Sequence, residues 1–163
     1  MPSLLETGRV LLIGVGATAV MDLWLLLLAR LGIRAADFAL VGRWIGHLAQ
    51  GRVAHASISK ALPIPHELRL GWLTHYGVGM AYAGLLVAVQ GFDWLRAPTP
   101  LPALATGLVT VVVPLFVMQP AMGNGCAAAR MPAQWKHCLR VLANHAVFGA
   151  GLFIAAVALQ QVS

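Results

Sequence analysis

Residues 10–29 read Val10-Leu-Leu-Ile-Gly-Val-Gly-Ala-Thr-Ala-Val-Met-Asp22-Leu-Trp-Leu-Leu-Leu-Leu-Ala29, with Asp22 the single charge among them. About 20 apolar residues cross a bilayer as a helix. Working outward from this stretch, three more runs carry no charge at all: 70–92, 97–129 (densest over 101–119) and 141–163. The chain has 16 charged residues, 11 Lys+Arg and 5 Asp+Glu, and 15 of them lie outside the four runs. With 60% hydrophobic and 10% charged residues, it is far below the roughly 25% charge of a soluble domain. The mean hydropathy of +0.81 agrees. This excludes an ordinary cytosolic enzyme, a disordered tail and a nucleic-acid-binding domain. It predicts an all-α four-helix transmembrane bundle in a single membrane domain over 1–163, with spans of about 10–30, 70–92, 101–120 and 141–161. The first run is too long for the core of a signal peptide, and its basic residues follow it, so it reads as a retained helix.

Four spans place loops 30–69 and 120–140 on one side of the membrane. Those loops hold Arg30, Arg34, Arg43, Arg52, Lys60, Arg69, Arg130, Lys136 and Arg140, against Arg9 and Arg96 on the other side. Positive residues stay in the cytoplasm during insertion. The expectation is an inner-membrane protein with both termini outside and both long loops cytoplasmic. The net charge of +6 then suits anionic lipid head groups and requires no nucleic acid. Cys126 and Cys138 fall on the cytoplasmic side, where thiols stay reduced, and their spacing matches no zinc motif.

Within the first long loop, Phe38, Val41, Ile45 and Leu48 recur at helical spacing, with Arg43, His47 and Gln50 on the opposite side. Asp37 is placed to cap the start and Gly51 the end. This is an amphipathic helix, lying either on the inner membrane surface or over the mouth of the bundle. The short connection 93–100 makes spans two and three antiparallel neighbours. Pro98, Pro100 and Pro102 mark the start of span three, Pro114 should kink it, and Pro120 with Gly123 and Gly125 should break it. Irregular backbone at that depth must face protein or water. A weak parallel repeat relates Thr74–Gly79 to Asn144–Gly149, both His-x-x-x-Gly, and Val20-Met-Asp22 to Val117-Met-Gln119.

The chemistry-bearing residues gather toward one face. All six histidines (His47, His55, His66, His75, His137, His145) lie in or near the cytoplasmic half. At 1.5 Å per residue, His75 and His145 sit roughly 8 and 6 Å into their spans and Asp22 roughly 12 Å from the inner end of its own. A carboxylate within a span costs about 2.5–3.5 kcal/mol on insertion scales, and is usually interior, paired and functional. Several readings stay open. Asp22, His75 and His145, helped by His55, suit a metal ion, zinc or iron. His75 and His145 are also placed as axial haem ligands, with Gly79 and Gly149 leaving room for the porphyrin and Arg69 and Arg140 for its propionates. In either case the site opens to the cytoplasm, with His55 and Gln119 as its secondary members. Asp22 could instead titrate on a proton or solute path, which four short spans would enclose only as a homo-oligomer. Or the polar groups only hold helices together, at about 0.6 kcal/mol per bond.

Met118, Met122, Cys126, Met131 and Cys138 offer soft copper ligands but form no tight cluster; methionine is more often gap filler. Trp44, Trp72, Trp94 and Trp135 read as interface anchors and Trp24 as packing or lipid-facing, while Tyr76 and Tyr82 carry no predicted role. Gly14-Val-Gly16 is a packing pair in a membrane helix, and no nucleophile, phosphate-loop or dinucleotide motif occurs.

Gly14-Val-Gly-Ala-Thr-Ala-Val-Met-Asp22, Gly42-Arg-Trp-Ile-Gly-His47 with His55, Gly71-Trp-Leu-Thr-His-Tyr76, Met118-Gln-Pro-Ala-Met-Gly123 and His145 with Phe148-Gly149 resemble, in order and at fitting spacings, a family of small bacterial membrane proteins. This is the domain-of-unknown-function family numbered 2938. The resemblance implies a four-span inner-membrane protein and no particular reaction. Its matched segments contain Asp22, His47, His55, His75 and His145.

Overall fold

A computed structural model of the protein describes residues 3–33 and 36–161. Arg34, counted above among the loop cations, and the last two residues of the fourth run lie outside the described residues. The described residues are helical with no strand. In chain order the helices are α1 (Leu4–Arg30), α2 (Phe38–Leu48), α3 (Glu67–Gln90), α4 (Asp93–Arg96), α5 (Pro100–Val109), α6 (Gln119–Ala121) and α7 (Gln134–Gln161). Four stretches, Leu4–Arg30, Glu67–Gln90, Pro100–Ala121 and Gln134–Gln161, are long and apolar enough to cross a membrane.

Helix α1 starts six residues before the apolar run. Its first turn is a capping box: the Ser3 hydroxyl accepts from the Glu6 N–H at 3.1 Å, and the Ser3 N–H donates to the Glu6 carboxylate at 2.9 Å. Arg30 ends α1, where a cation complements the helix dipole. Asp37 caps α2 as expected, accepting from the Ala39 N–H at 3.0 Å. The chain leaves α2 through Gly51 at φ +79°. At Pro114 the helix does not simply bend. Residues Val113–Met118 form a π-helical turn, the wider winding that accommodates a residue unable to donate. Beyond Ala121 the chain turns sharply, with positive φ at Gly123, Gly125, Ala127 and Ala128.

The chain forms two compact units. The first comprises Met1–Ala35, Tyr76–Thr110 and Ala143–Ser163; the second, Ala36–His75 and Val111–Leu142.

The first unit gathers parts of all four long helices around Ile13, Ala17, Ala83, Leu86, Val87, Phe148, Leu152 and Ala156. Beside these large side chains it buries small ones. Thr18 is 1% exposed and Ala17 0%, whereas Leu23 of the same helix is 67% exposed. Leucines left on the outside, with glycine, alanine and threonine at the helix contacts, suit a lipid solvent, which gives apolar side chains little reason to leave it. Backbone approach drives the packing instead. A Cβ on Gly14 would stand 2.5 Å from Met80 Cα, and one on Gly107 2.4 Å from the His145 carbonyl oxygen. Between α7 and α1, a Cβ on Gly151 would meet the Ala17 carbonyl at 2.9 Å. In the connection 93–100, Trp94 and Leu95 are buried, and the Trp94 indole donates to the Thr99 carbonyl at 3.3 Å. Trp94 is therefore a core residue, where an interface anchor was expected.

In the second unit α2 lies against the first turns of α3. A Cβ on Gly42 would collide with the Glu67 carbonyl at 1.8 Å, and one on Gly71 with the Phe38 carbonyl at 1.8 Å. The Phe38 and Trp72 rings meet at 4.4 Å. The face of α2 expected to be polar and outward is engaged too. Arg43 grips Glu67 with two bonds of 2.9 Å, and His47 is 3% exposed.

Candidate functional site

In the first unit two groups singled out by sequence, Asp22 and His145, are each held by residues of a neighbouring helix. The Tyr76 hydroxyl donates to the Asp22 carboxylate at 2.8 Å. Half-buried Asp22 is thus held by a neighbouring helix, as a carboxylate at membrane depth requires. Near it in sequence, the Trp24 indole donates to the Asn144 side-chain oxygen at 3.0 Å. Trp24 is neither a lipid anchor nor mere packing; it ties α1 to α7.

His145, beside Asn144, makes the most informative contact. Its Nδ1 lies 3.2 Å from the Gly107 carbonyl and 3.1 Å from the Thr110 hydroxyl, which itself donates to the same carbonyl at 2.8 Å. A carbonyl only accepts, so Nδ1 carries a proton, and in the neutral ring the lone pair is on Nε2. An imidazole held through Nδ1–H by a backbone carbonyl is in the form in which histidine ligates metals. Thr110 is 4% exposed, so this support is buried. The Tyr82 ring lies 6.4 Å from His145 and 6.0 Å from Phe148.

The room that Gly79 and Gly149 were to leave for a porphyrin is occupied by protein. A Cβ on Gly79 would be 2.0 Å from the Thr18 hydroxyl, and one on Gly149 2.9 Å from the Ala103 carbonyl. Both glycines serve helix approach. Arg69 and Arg140, expected near haem propionates, are solvent-exposed.

His75 and His55 belong to the second unit. Half-buried His75 packs its ring at 4.6 Å from Phe38 and 5.7 Å from Trp72. His55 reaches His47: Nε2 of His55 is 2.7 Å from Nδ1 of His47, while Nδ1 of His55 is buried with no hydrogen-bond partner. Gln119, 6% exposed, spans a third polar group in this unit. Its amide nitrogen donates to His137 Nε2 at 2.9 Å, and its oxygen accepts from Asn124 at 2.6 Å. Arg43 adds bonds of 3.1–3.4 Å to the Ile58, Ser59 and Ala61 carbonyls. The Glu67 carboxylate raises the Arg43 pKa above its usual value, so this cation persists at any working pH. Among the described residues no three or more His, Cys, Asp or Glu side chains form a group that could hold a metal ion by themselves.

Residues 11–159 match the family described as Protein of unknown function (DUF2938). The chain belongs to this family. No curated protein and no solved structure matches it. The matched stretch of this DUF2938 protein takes in Asp22, Tyr76, Thr110 and His145, together with His47, His55 and His75.

Sequence reasoning singled out Asp22 and His145 but not the residues that hold them. Tyr76 and Tyr82 had no predicted role, and Thr110 and Asn144 looked like ordinary span residues. A signal for Tyr76 was present: it directly follows His75 in span two and carries a donor at membrane depth, where a buried carboxylate needs one.

Proposed function

We propose that this DUF2938 protein is a bacterial inner-membrane protein that binds a transition-metal ion, zinc or iron, through Asp22 and His145. The observation that carries the reading is the Nδ1–H of His145 on the Gly107 carbonyl and Thr110 hydroxyl, which puts the lone pair on Nε2. Asp22, held by Tyr76 in the same unit, supplies the carboxylate, and imidazole with carboxylate suits zinc or iron. Water or further side chains complete the coordination, with His75 and His55 the side chains to test. Both termini are outside and loops 30–69 and 120–140 are cytoplasmic, a reading supported by nine cations against two. The exposed ones among them, such as Arg69 and Arg140, suit anionic lipid head groups.

The experiment is metal analysis with an absorption spectrum on detergent-purified wild type and Asp22→Asn. Near-stoichiometric metal in wild type, reduced in the variant, supports the site. A Soret band would replace the ion by haem. No metal in either protein, with the fold intact, contradicts the reading.

A second reading is favoured by the Tyr76–Asp22 pair alone. A carboxylate at membrane depth, held there by a phenol, suits a proton-coupled carrier, built as a homo-oligomer because four spans enclose little volume. It predicts pH-dependent solute flux in liposomes, lost in Asp22→Asn, without bound metal.

A further inference from the structure

Arg9 stands in the second turn of α1, immediately before its apolar run. It is half-buried, whereas Arg96, the other cation on its side of the membrane, has a side chain 71% exposed. Arg9 lines a shallow cleft with Ile13 of α1, Leu95 of α4 and Ala156, Leu159 and Gln160 of α7, all in the first unit. Ile13, Leu95 and Ala156 are buried, so the cleft opens onto the core of that unit. The Gln160 amide nitrogen donates to the Arg96 carbonyl and joins the last turn of α7 to α4.

The acids near this cleft are engaged elsewhere. The Glu6 carboxylate accepts from the Ser3 N–H at 2.9 Å and stands 3.8 Å from Arg96, and Asp93 pairs with Arg96 at 3.0 Å. Asp22 is held by Tyr76 deeper along α1, and Asp37 and Glu67 belong to the second unit. The carbonyl end of α7 borders the cleft and favours a cation. Even so, among the described residues the Arg9 side chain has no ion pair and no hydrogen bond.

We propose that this cleft seats an anionic phospholipid, with Arg9 on its phosphate. The planar guanidinium presents paired N–H groups that match two phosphate oxygens, and the charge it meets is the one the protein leaves unsupplied. The position fits. Arg9 precedes the apolar run of α1 and Leu159 and Gln160 close that of α7, which is the level of lipid head groups. The apolar walls around Leu159 then face the start of the acyl chains. A shallow cleft suits a molecule that lies along the bundle; a soluble anion there would stay in water, where a single ion pair is worth little. With Glu6 and Asp93 both turned to Arg96, no acid remains for a head-group ammonium. The lipid selected is therefore one whose only head-group charge is its phosphate.

The test is photo-crosslinking of the full chain in phosphatidylcholine nanodiscs by phosphatidylglycerol carrying a diazirine beside its head group, read by mass spectrometry at α4 and the last turn of α7. Wild type should be labelled there. Excess plain phosphatidylglycerol should displace the label; added phosphatidylcholine or inorganic phosphate should not. Arg9→Gln should lower the labelling about tenfold or more, the loss expected for hydrogen bonds to a charged group. Arg9→Lys keeps the charge without the fork and should fall between. Gln160→Glu keeps Arg9 and places a carboxylate in the cleft, and should lower the labelling as Arg9→Gln does. Equal labelling in wild type and Arg9→Gln overturns the site. Displacement by inorganic phosphate overturns it in favour of a soluble anion, and displacement by phosphatidylcholine removes the charge selection. No label at these residues in wild type, the result if a second copy of the chain covers this face, overturns it as well.

Discussion

The two units of this protein use polar groups in opposite ways. In the first, three side-chain pairs run between long helices: Tyr76 to Asp22, Trp24 to Asn144, His145 to Thr110. These contacts sit among glycines and alanines whose lack of volume lets backbones meet. In the second, polar groups fasten irregular chain to helix: Arg43 to three carbonyls of residues 58–61, His47 to His55, Gln119 to Asn124 and His137. The second unit also carries the strained backbone, with Ala127, Ala128 and Ala133 at positive φ. The lesson is physical. Long apolar helices in lipid are stabilised by approach, so they need few polar groups. Loops at the membrane edge need hydrogen bonds merely to hold their shape.

Substitutions test that contrast. The largest effect should come from adding volume in the first unit. Gly14→Val drives a side chain into Met80 backbone that cannot yield, and should cost about 3 kcal/mol or more in thermal or denaturant unfolding. A Gly14→Val protein as stable as wild type would mean that backbone approach does not hold this unit.

Next comes Arg43→Ala in the second unit. It strands Glu67 and three carbonyls, and should cost about 2–3 kcal/mol and loosen residues 58–61 in hydrogen exchange. Arg43→Lys should recover only part of this, since an ammonium cannot form the paired bonds to the carboxylate. Full recovery by lysine would reduce the contact to simple charge pairing.

The smallest effect should come from Trp24→Phe, which deletes one interhelical bond while keeping the ring. About 0.6 kcal/mol is the usual worth of such a bond in a membrane protein. A cost of several kcal/mol would show that the first unit depends on its polar contacts as heavily as the second.

The helices were legible because the signal behind them is long: uncharged runs near bilayer length leave little alternative. Their ends were less so. Ser3 and Glu6 spell a capping box that extends α1 before its apolar run, a short-range signal outweighed by counting hydrophobic residues. Pro114 announced a break but not its form, because the choice between a kink and a π turn depends on neighbours distant in sequence. At the candidate site, Asp22 and His145 stood out because charge and imidazole are costly in lipid. Tyr76, Thr110 and Asn144 did not, since hydroxyls and amides are cheap there and gain meaning only from what they face. Gly79 and Gly149 show the reverse error: a missing side chain looked like space for a ligand and is filled by the next helix.

The most direct test of the account is a titration of metal-stripped protein with Zn²⁺ or Fe²⁺, comparing wild type, His145→Ala and Trp24→Phe. Trp24→Phe controls for a small loss of stability on a neighbouring interhelical bond. The account predicts saturable binding near one ion per chain in wild type and Trp24→Phe, and its loss in His145→Ala. Equal binding in all three proteins, or none in wild type, would contradict it.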